Sequence, residues 1–148
     1  MRANPAASEI MWLPLFFTES NQFIVGRCAG VMRLLIVDDN TSVRRLIRSI
    51  VASVAEEIQE CESGITALAA YLEYHPDFVL MDIEMKGLDG IAATMQIKAA
   101  HPAAKVIMVT NYDDAELREA ARDAGACAYV LKHNLLEVNA VLRSLSQH

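Results

Sequence analysis

The stretch LLIVDDN, Leu34–Asn40, sets four apolar residues directly against two acids. No alternation interrupts Leu34, Leu35, Ile36 and Val37, so the run reads as a strand buried on both faces. Such a strand belongs to a parallel sheet covered by helices above and below. Asp38 and Asp39 then stand at its carboxyl end, the edge where open α/β sheets bind ligands.

The rest of the chain repeats that unit. After the acids, Val43, Leu46, Ile47, Ile50, Val51 and Val54 fall at helical spacing and predict one apolar face. A weaker strand follows at Ile58–Cys61, punctuated by Gly64. The next helix is expected to turn Ile65, Leu68, Ala69 and Leu72 inward and to stop near His75-Pro76, where proline cannot continue it. Phe78–Met81 reads as a third strand, and GLDG, Gly87–Gly90, leads into a helix with Ile91 and Met95 predicted inward. A strand over Val106–Val109, a helix over Asp113–Ala124 stopped by Gly125, a strand over Ala128–Leu131 and a helix carrying Leu135, Val138, Leu142 and Leu145 complete five strand–helix units.

Parallel neighbours need right-handed crossover helices, so this alternation predicts an α/β, flavodoxin-like (βα)5 doubly wound sheet with strand order 2-1-3-4-5. Its switch point lies between the first and third strands. Asp38 and Asp39 end the first strand, Asp82 the third and Thr110 the fourth, while Lys132 follows the fifth. Three carboxylates, a hydroxyl and an ammonium are thereby expected on one rim.

Each group alone has an ordinary explanation as a turn former, a cap or a solvated charge; together they point to chemistry. Adjacent carboxylates repel unless a cation compensates them, and Lys132 can neutralise only one. Oxygen-rich and free of His and Cys, the set suits a hard cation, and Mg2+ accepts one or two carboxylates while keeping waters. Asp39 and Asp82 are the expected direct ligands, with Asp38 acting through a water. Thr110 and Lys132 suit two oxygens of a transferring phosphoryl group, and Asp82 is best placed to attack it and form an acyl phosphate.

With these residues in place the chain resembles the receiver domain of two-component response regulators. The resemblance spans Met32–His148 and rests on LLIVDDN, VLMDIEMKGLDG, VIMVTN and AYVLK in that order. It implies that Asp82 takes a phosphoryl group from a histidine kinase or a histidine phosphotransfer protein. It also implies a metal site of Asp39, Asp82 and the backbone carbonyl of Glu84, and a switch in which Thr110 and Tyr129 move inward. By that movement the face of the fourth helix, fifth strand and fifth helix would bind a downstream partner protein or a second copy of the chain. Such a module catalyses its own aspartyl phosphorylation and dephosphorylation but is mainly a signalling switch; Glu84 and Tyr112 sit where they admit or obstruct the attacking water.

Two positions depart from the family pattern. Lys86 stands where proline is common, and His133 follows Lys132 where many members have a cis proline, so a trans bond is expected here. NYDD and AARDAGACAYVLK resemble receivers coupled to helix-turn-helix outputs, yet 148 residues leave no room for such an output, and a stand-alone receiver is expected. Two other readings stay open: a non-phosphorylated interaction module of the same fold, and a small magnesium phosphatase with Glu84 at the acid–base offset from its nucleophile.

Composition agrees with a folded switch. The chain is 53% apolar and 22% charged with net charge -6, and residues 1–31 are neutral, Arg2 and Arg27 balancing Glu9 and Glu19. Without a basic stripe, direct nucleic-acid binding is not expected. Arg44, Arg45 and Arg48 form the only basic cluster and predict a solvated helix face. Cys28, Cys61 and Cys127 show no CxxC spacing and read as small buried residues in a reducing cytoplasm. Residues 1–31 carry IMWLPLFF, too short for a membrane span and without a basic start or cleavage site. We expect a poorly ordered leader over 1–31, from an over-long start assignment, and one domain over 32–148; a docking segment or atypical export signal is the other reading.

Overall fold

The computed structural model of the chain describes residues 31–147. The expected leader, with Cys28, therefore falls outside the described residues except for Val31. Among the described residues five strands and five helices alternate: β1 Arg33–Val37, α1 Thr41–Val51, β2 Glu57–Cys61, α2 Ala67–Tyr74, β3 Phe78–Met81, α3 Gly90–Ala100, β4 Val106–Thr110, α4 Ala115–Ala124, β5 Ala128–Leu131 and α5 Glu137–Ser146. A 3₁₀ turn over Lys132–Asn134 follows β5. Met32–Asn139 form one compact unit, and the part of α5 from Ala140 onward is grouped apart from it. Among the described residues no helix is long and apolar enough to cross a membrane.

The sheet is wholly parallel and runs β2-β1-β3-β4-β5, the predicted order. Central strands β1, β3 and β4 are buried almost throughout, whereas edge strand β2 alternates between exposed and covered residues. That difference is why LLIVDD reads so clearly and EIQEC so weakly. Leu35, Val37, Val79, Met81, Val106 and Met108 form one core layer with Ala67 and Tyr71 of α2, Ala93 and Ile97 of α3 and Ala121 of α4. The alternate residues Leu34, Ile36, Leu80 and Ile107 point the other way and are equally buried, as are Ile47 and Val51 of α1.

Side-chain caps set where the helices start. Asn40 accepts from the Val43 N–H (3.0 Å), Asp89 from Ala92 (2.8 Å) and Asp114 from Glu116 and Leu117 (2.8 and 3.1 Å). Because Asp114 is the cap, α4 begins two residues later than predicted. Gly125 ends it in the left-handed region with φ 107°, a conformation that costs glycine nothing.

The inward faces of three helices differ from expectation. Met95 is 57% exposed, and Leu46, Ile65 and Leu72 are exposed as well. The buried residues are Arg44, Ile47 and Val51 in α1, Ala67 and Tyr71 in α2, and Gly90, Ala93, Thr94 and Ile97 in α3. The large side chains that α2 and α3 bury are Tyr71 and Ile97, so their inward faces are centred there and not on Leu72 and Met95. Thr94 tolerates burial because its hydroxyl donates to the Gly90 carbonyl at 2.7 Å.

Two further expectations are corrected. Cys127 is exposed, at the mouth of the edge strand β5, while Cys61 is buried as expected. The arginine cluster is a solvated face only in part: Arg45 and Arg48 are exposed, with Arg48 bonded to Glu60 and to the Ile58 carbonyl, but Arg44 is buried. The Lys132–His133 peptide is trans, as expected.

Candidate functional site

Strand register builds the site. Val37 pairs with Met81, and the Asp82 N–H donates to the Val37 carbonyl at 2.9 Å, so the next residue of each strand, Asp38 and Asp82, emerges side by side. Thr110 pairs with Leu131, which places Lys132 just beyond the rim. Gly90 lets the start of α3 lie on this edge, since a Cβ there would overlap the Asp82 carbonyl.

Asp38 is 1% exposed, Asp82 5% and Thr110 0%, whereas Asp39 is exposed. Oxygens of Asp38, Asp39 and Asp82 lie within 4.8 Å of one another. Lys132 Nζ stands 2.8 Å from Asp38 Oδ2 and 3.2 Å from Asp82 Oδ1. One ammonium thus pairs with two carboxylates of a cluster of three. Asp38 Oδ1 accepts from the Asn40 N–H at 2.8 Å, and the buried Oδ2 has the Lys132 ammonium as its one close partner.

The electrostatics register this excess. Burial, then the negative charge of Asp38, push the Asp82 carboxyl up to about 6; Lys132 opposes them and Asp39 adds to them. Burial pulls Lys132 down, but its hydrogen bond to Asp38 and the charges of Asp82 and Asp38 outweigh that and hold it above the ordinary lysine value. The trio has the chemistry of a hard-cation site: clustered carboxylate oxygens and more negative charge than one lysine neutralises.

A second set of groups lines the other side. Tyr112 donates its N–H to Thr110 Oγ1 (3.3 Å) and its hydroxyl to Glu84 Oε1 (2.7 Å). That bond holds the Tyr112 phenol above its usual value. Tyr129 donates its hydroxyl to the Tyr112 carbonyl at 2.6 Å, and the Arg118 guanidinium sits 4.5 Å over the Tyr129 ring. The Lys86 N–H donates to Asp39 Oδ2 at 3.2 Å.

The structure therefore brings Asp38, Asp39, Asp82 and Lys132 together, with Thr110 at the end of the neighbouring strand. Glu84's carboxylate is turned to Tyr112 and stands outside the acidic trio. Tyr129 reaches outward to the Tyr112 carbonyl. Sequence reasoning missed Arg44, whose Nη1 donates to the Asp38 carbonyl at 2.6 Å. The only signal available for it was an arginine three residues after a helix start, which is too common to single out.

The family model of the response regulator receiver domain matches residues 34–141. The chain belongs to that family. It is 41% identical over 100 residues to the chemotaxis protein CheY of Halobacterium salinarum, an alignment covering 68% of this chain and 83% of that protein. It is 39% identical over 103 residues to the response regulator VraR of Staphylococcus aureus, covering 68% of this chain but only 49% of VraR. The chain thus spans about half the length of that relative. Among solved structures, the response regulator domain of Thermotoga maritima CheB superposes with a TM-score of 0.70 at 29% identity, over 79% of this chain and 95% of that one. As a receiver domain, the chain has the phosphoacceptor role in two-component signalling.

Proposed function

We propose that Asp82 is the phosphorylated residue and that Asp39 and Asp82 hold Mg2+ directly, with Asp38 through a water and the Glu84 backbone carbonyl completing the protein ligands. The observation that carries this reading is the clustering of three carboxylates at the β1–β3 switch point, two of which share one lysine. When bound, the ion supplies positive charge to the phosphoryl oxygens and to the acids around them.

In the forward step an Asp82 carboxylate oxygen attacks phosphorus. A P–O bond forms, the bond from phosphorus to the donor's imidazole nitrogen breaks, and the electron pair leaves with that nitrogen. Lys132 pairs with one phosphoryl oxygen and the Thr110 hydroxyl donates to another. In dephosphorylation water attacks phosphorus, the bond from phosphorus to the Asp82 oxygen breaks, inorganic phosphate leaves and the Asp82 carboxylate is restored. Glu84 and Tyr112, bonded to each other beside the site, set the access of that water.

The donor is a histidine kinase or a histidine phosphotransfer protein, and the output is a protein contact in the cytoplasm. As Thr110 turns toward the phosphoryl group, Tyr129 leaves the Tyr112 carbonyl and moves inward, changing the face carried by α4 and β5 for a downstream partner or a second copy. The net charge of -6 and the lack of a basic stripe favour protein over nucleic acid.

Incubation with Mg2+ and acetyl phosphate tests the core of this reading. Mass spectrometry should find one added phosphate on the wild type and none on Asp82→Asn. An unmodified wild type, under conditions that label another receiver, would sink it.

A further inference from the structure

Arg44 lies behind the acids, and its fork is fully committed. The residue is 8% exposed. Its Nη1 donates to the Asp38 carbonyl (2.6 Å), its Nε to Glu60 Oε1 (3.0 Å) and its Nη2 to Thr41 Oγ1 (3.2 Å). Glu60 is held in turn by Arg48, whose Nε donates to Oε2 at 3.0 Å and whose terminal nitrogens donate to the Ile58 carbonyl at 3.2 and 3.0 Å. The β1–β2 register, which sets Glu60 opposite Ile36, brings this carboxylate within reach of α1.

The carbonyl that Arg44 grips belongs to the peptide unit joining Asp38 to Asp39. Across that residue the Asp38 N–H donates to the Cys61 carbonyl at 3.1 Å. With both ends of Asp38 tied, the plane from which Asp39 departs is fixed, although the Asp39 side chain itself is exposed. An arginine fork can make all three bonds at once because its donors are rigid and planar; a lysine offers one point charge.

We propose that Arg44 is a positioning residue for the divalent-cation site, aiming Asp39 through the Asp38–Asp39 peptide, with Glu60 and Arg48 bracing its fork. This rests on the metal reading proposed above. Charge alone would argue the reverse, since a cation near a cation site weakens metal binding. Positioning and electrostatics therefore predict opposite signs when an arginine of this network is neutralised, and Arg44→Lys isolates geometry by keeping the charge.

The test is calorimetric titration of the full chain with Mg2+, beside thermal unfolding in EDTA. Arg44→Lys should unfold cooperatively yet bind Mg2+ about tenfold more weakly, the loss typical of an outer-shell partner. A merely structural arginine would lower the unfolding temperature and leave the Kd of the folded protein untouched. Wild-type binding with an unchanged Kd in folded Arg44→Lys overturns the role of Arg44 alone. Absence of saturable binding in the wild type overturns the metal reading and this role with it. If Arg44→Lys does not fold, the exposed Arg48→Gln decides: weaker Mg2+ binding supports the brace, and unchanged or tighter binding, as charge alone predicts, overturns it.

Discussion

The two halves of the rim are held by different means. On the β1–β3 side, Asp38 and Asp82 are buried, Lys132 bridges them, and Arg44 with the Cys61 carbonyl ties the backbone of Asp38. On the β4–β5 side, Tyr112 and Tyr129 depend on hydrogen bonds close to solvent, to Glu84 and to each other. Buried charge pairs resist rearrangement because breaking one strands an ion, whereas exposed hydrogen bonds exchange readily with water. One half is built to hold charge still, the other to let go.

Breaking the rigid half should have the largest effect. Lys132→Met leaves Asp38 and Asp82 facing each other without a cation, and urea unfolding in EDTA at pH 7.5 should show a loss of about 2–4 kcal/mol, the upper part of the buried-pair range being relieved as Asp82 takes a proton. A loss no larger than that of a surface substitution would contradict the division.

Asp82→Asn should act in the opposite direction. In the metal-free fold the Asp82 carboxyl is raised from an ordinary 3.8 to about 6, so the native state binds its proton more tightly than the unfolded chain. Wild-type stability therefore falls as pH rises through that window and is level above it. The variant, lacking the ionised group, should be more stable than wild type by roughly 1–3 kcal/mol in EDTA at pH 7.5, with the gap closing toward pH 4. A gap that does not change with pH would show that burial of this carboxylate is not what strains the site.

The looser half gives the smallest effect. Tyr129→Phe removes the hydroxyl bond to the Tyr112 carbonyl and keeps the ring under Arg118, so its unfolding free energy should change by no more than about 1 kcal/mol. A cost equal to that of Lys132→Met would erase the contrast between the halves.

The central strands were the most legible part. Leu34–Val37, Phe78–Met81 and Val106–Val109 are continuous apolar runs because both faces of the central strands are covered, and their carboxyl ends hand Asp38, Asp39, Asp82 and Thr110 to one edge by topology alone. Helix orientation was less legible. Much of the buried face of α2 and α3 is Ala67, Gly90, Ala93 and Thr94, which carry little hydrophobic signal, while the exposed Met95, Ile65 and Leu72 mislead the periodicity. Arg44 was illegible for another reason: its role is made by Glu60, 16 residues away, and by a backbone carbonyl that no side-chain pattern records. Likewise, Glu84 and Tyr112 were placed near the attacking water from sequence, but their mutual hydrogen bond is visible only in three dimensions.

The central claim is that Asp38, Asp39 and Asp82 hold a divalent cation against an oxygen that accepts phosphate. Calorimetric titration of Mg2+ into the wild type, Asp39→Asn and Asp82→Asn tests it most directly. The account predicts one saturable site in the wild type and affinity weakened at least about tenfold in each variant. No saturable binding in the wild type, or wild-type affinity in both variants, would contradict it.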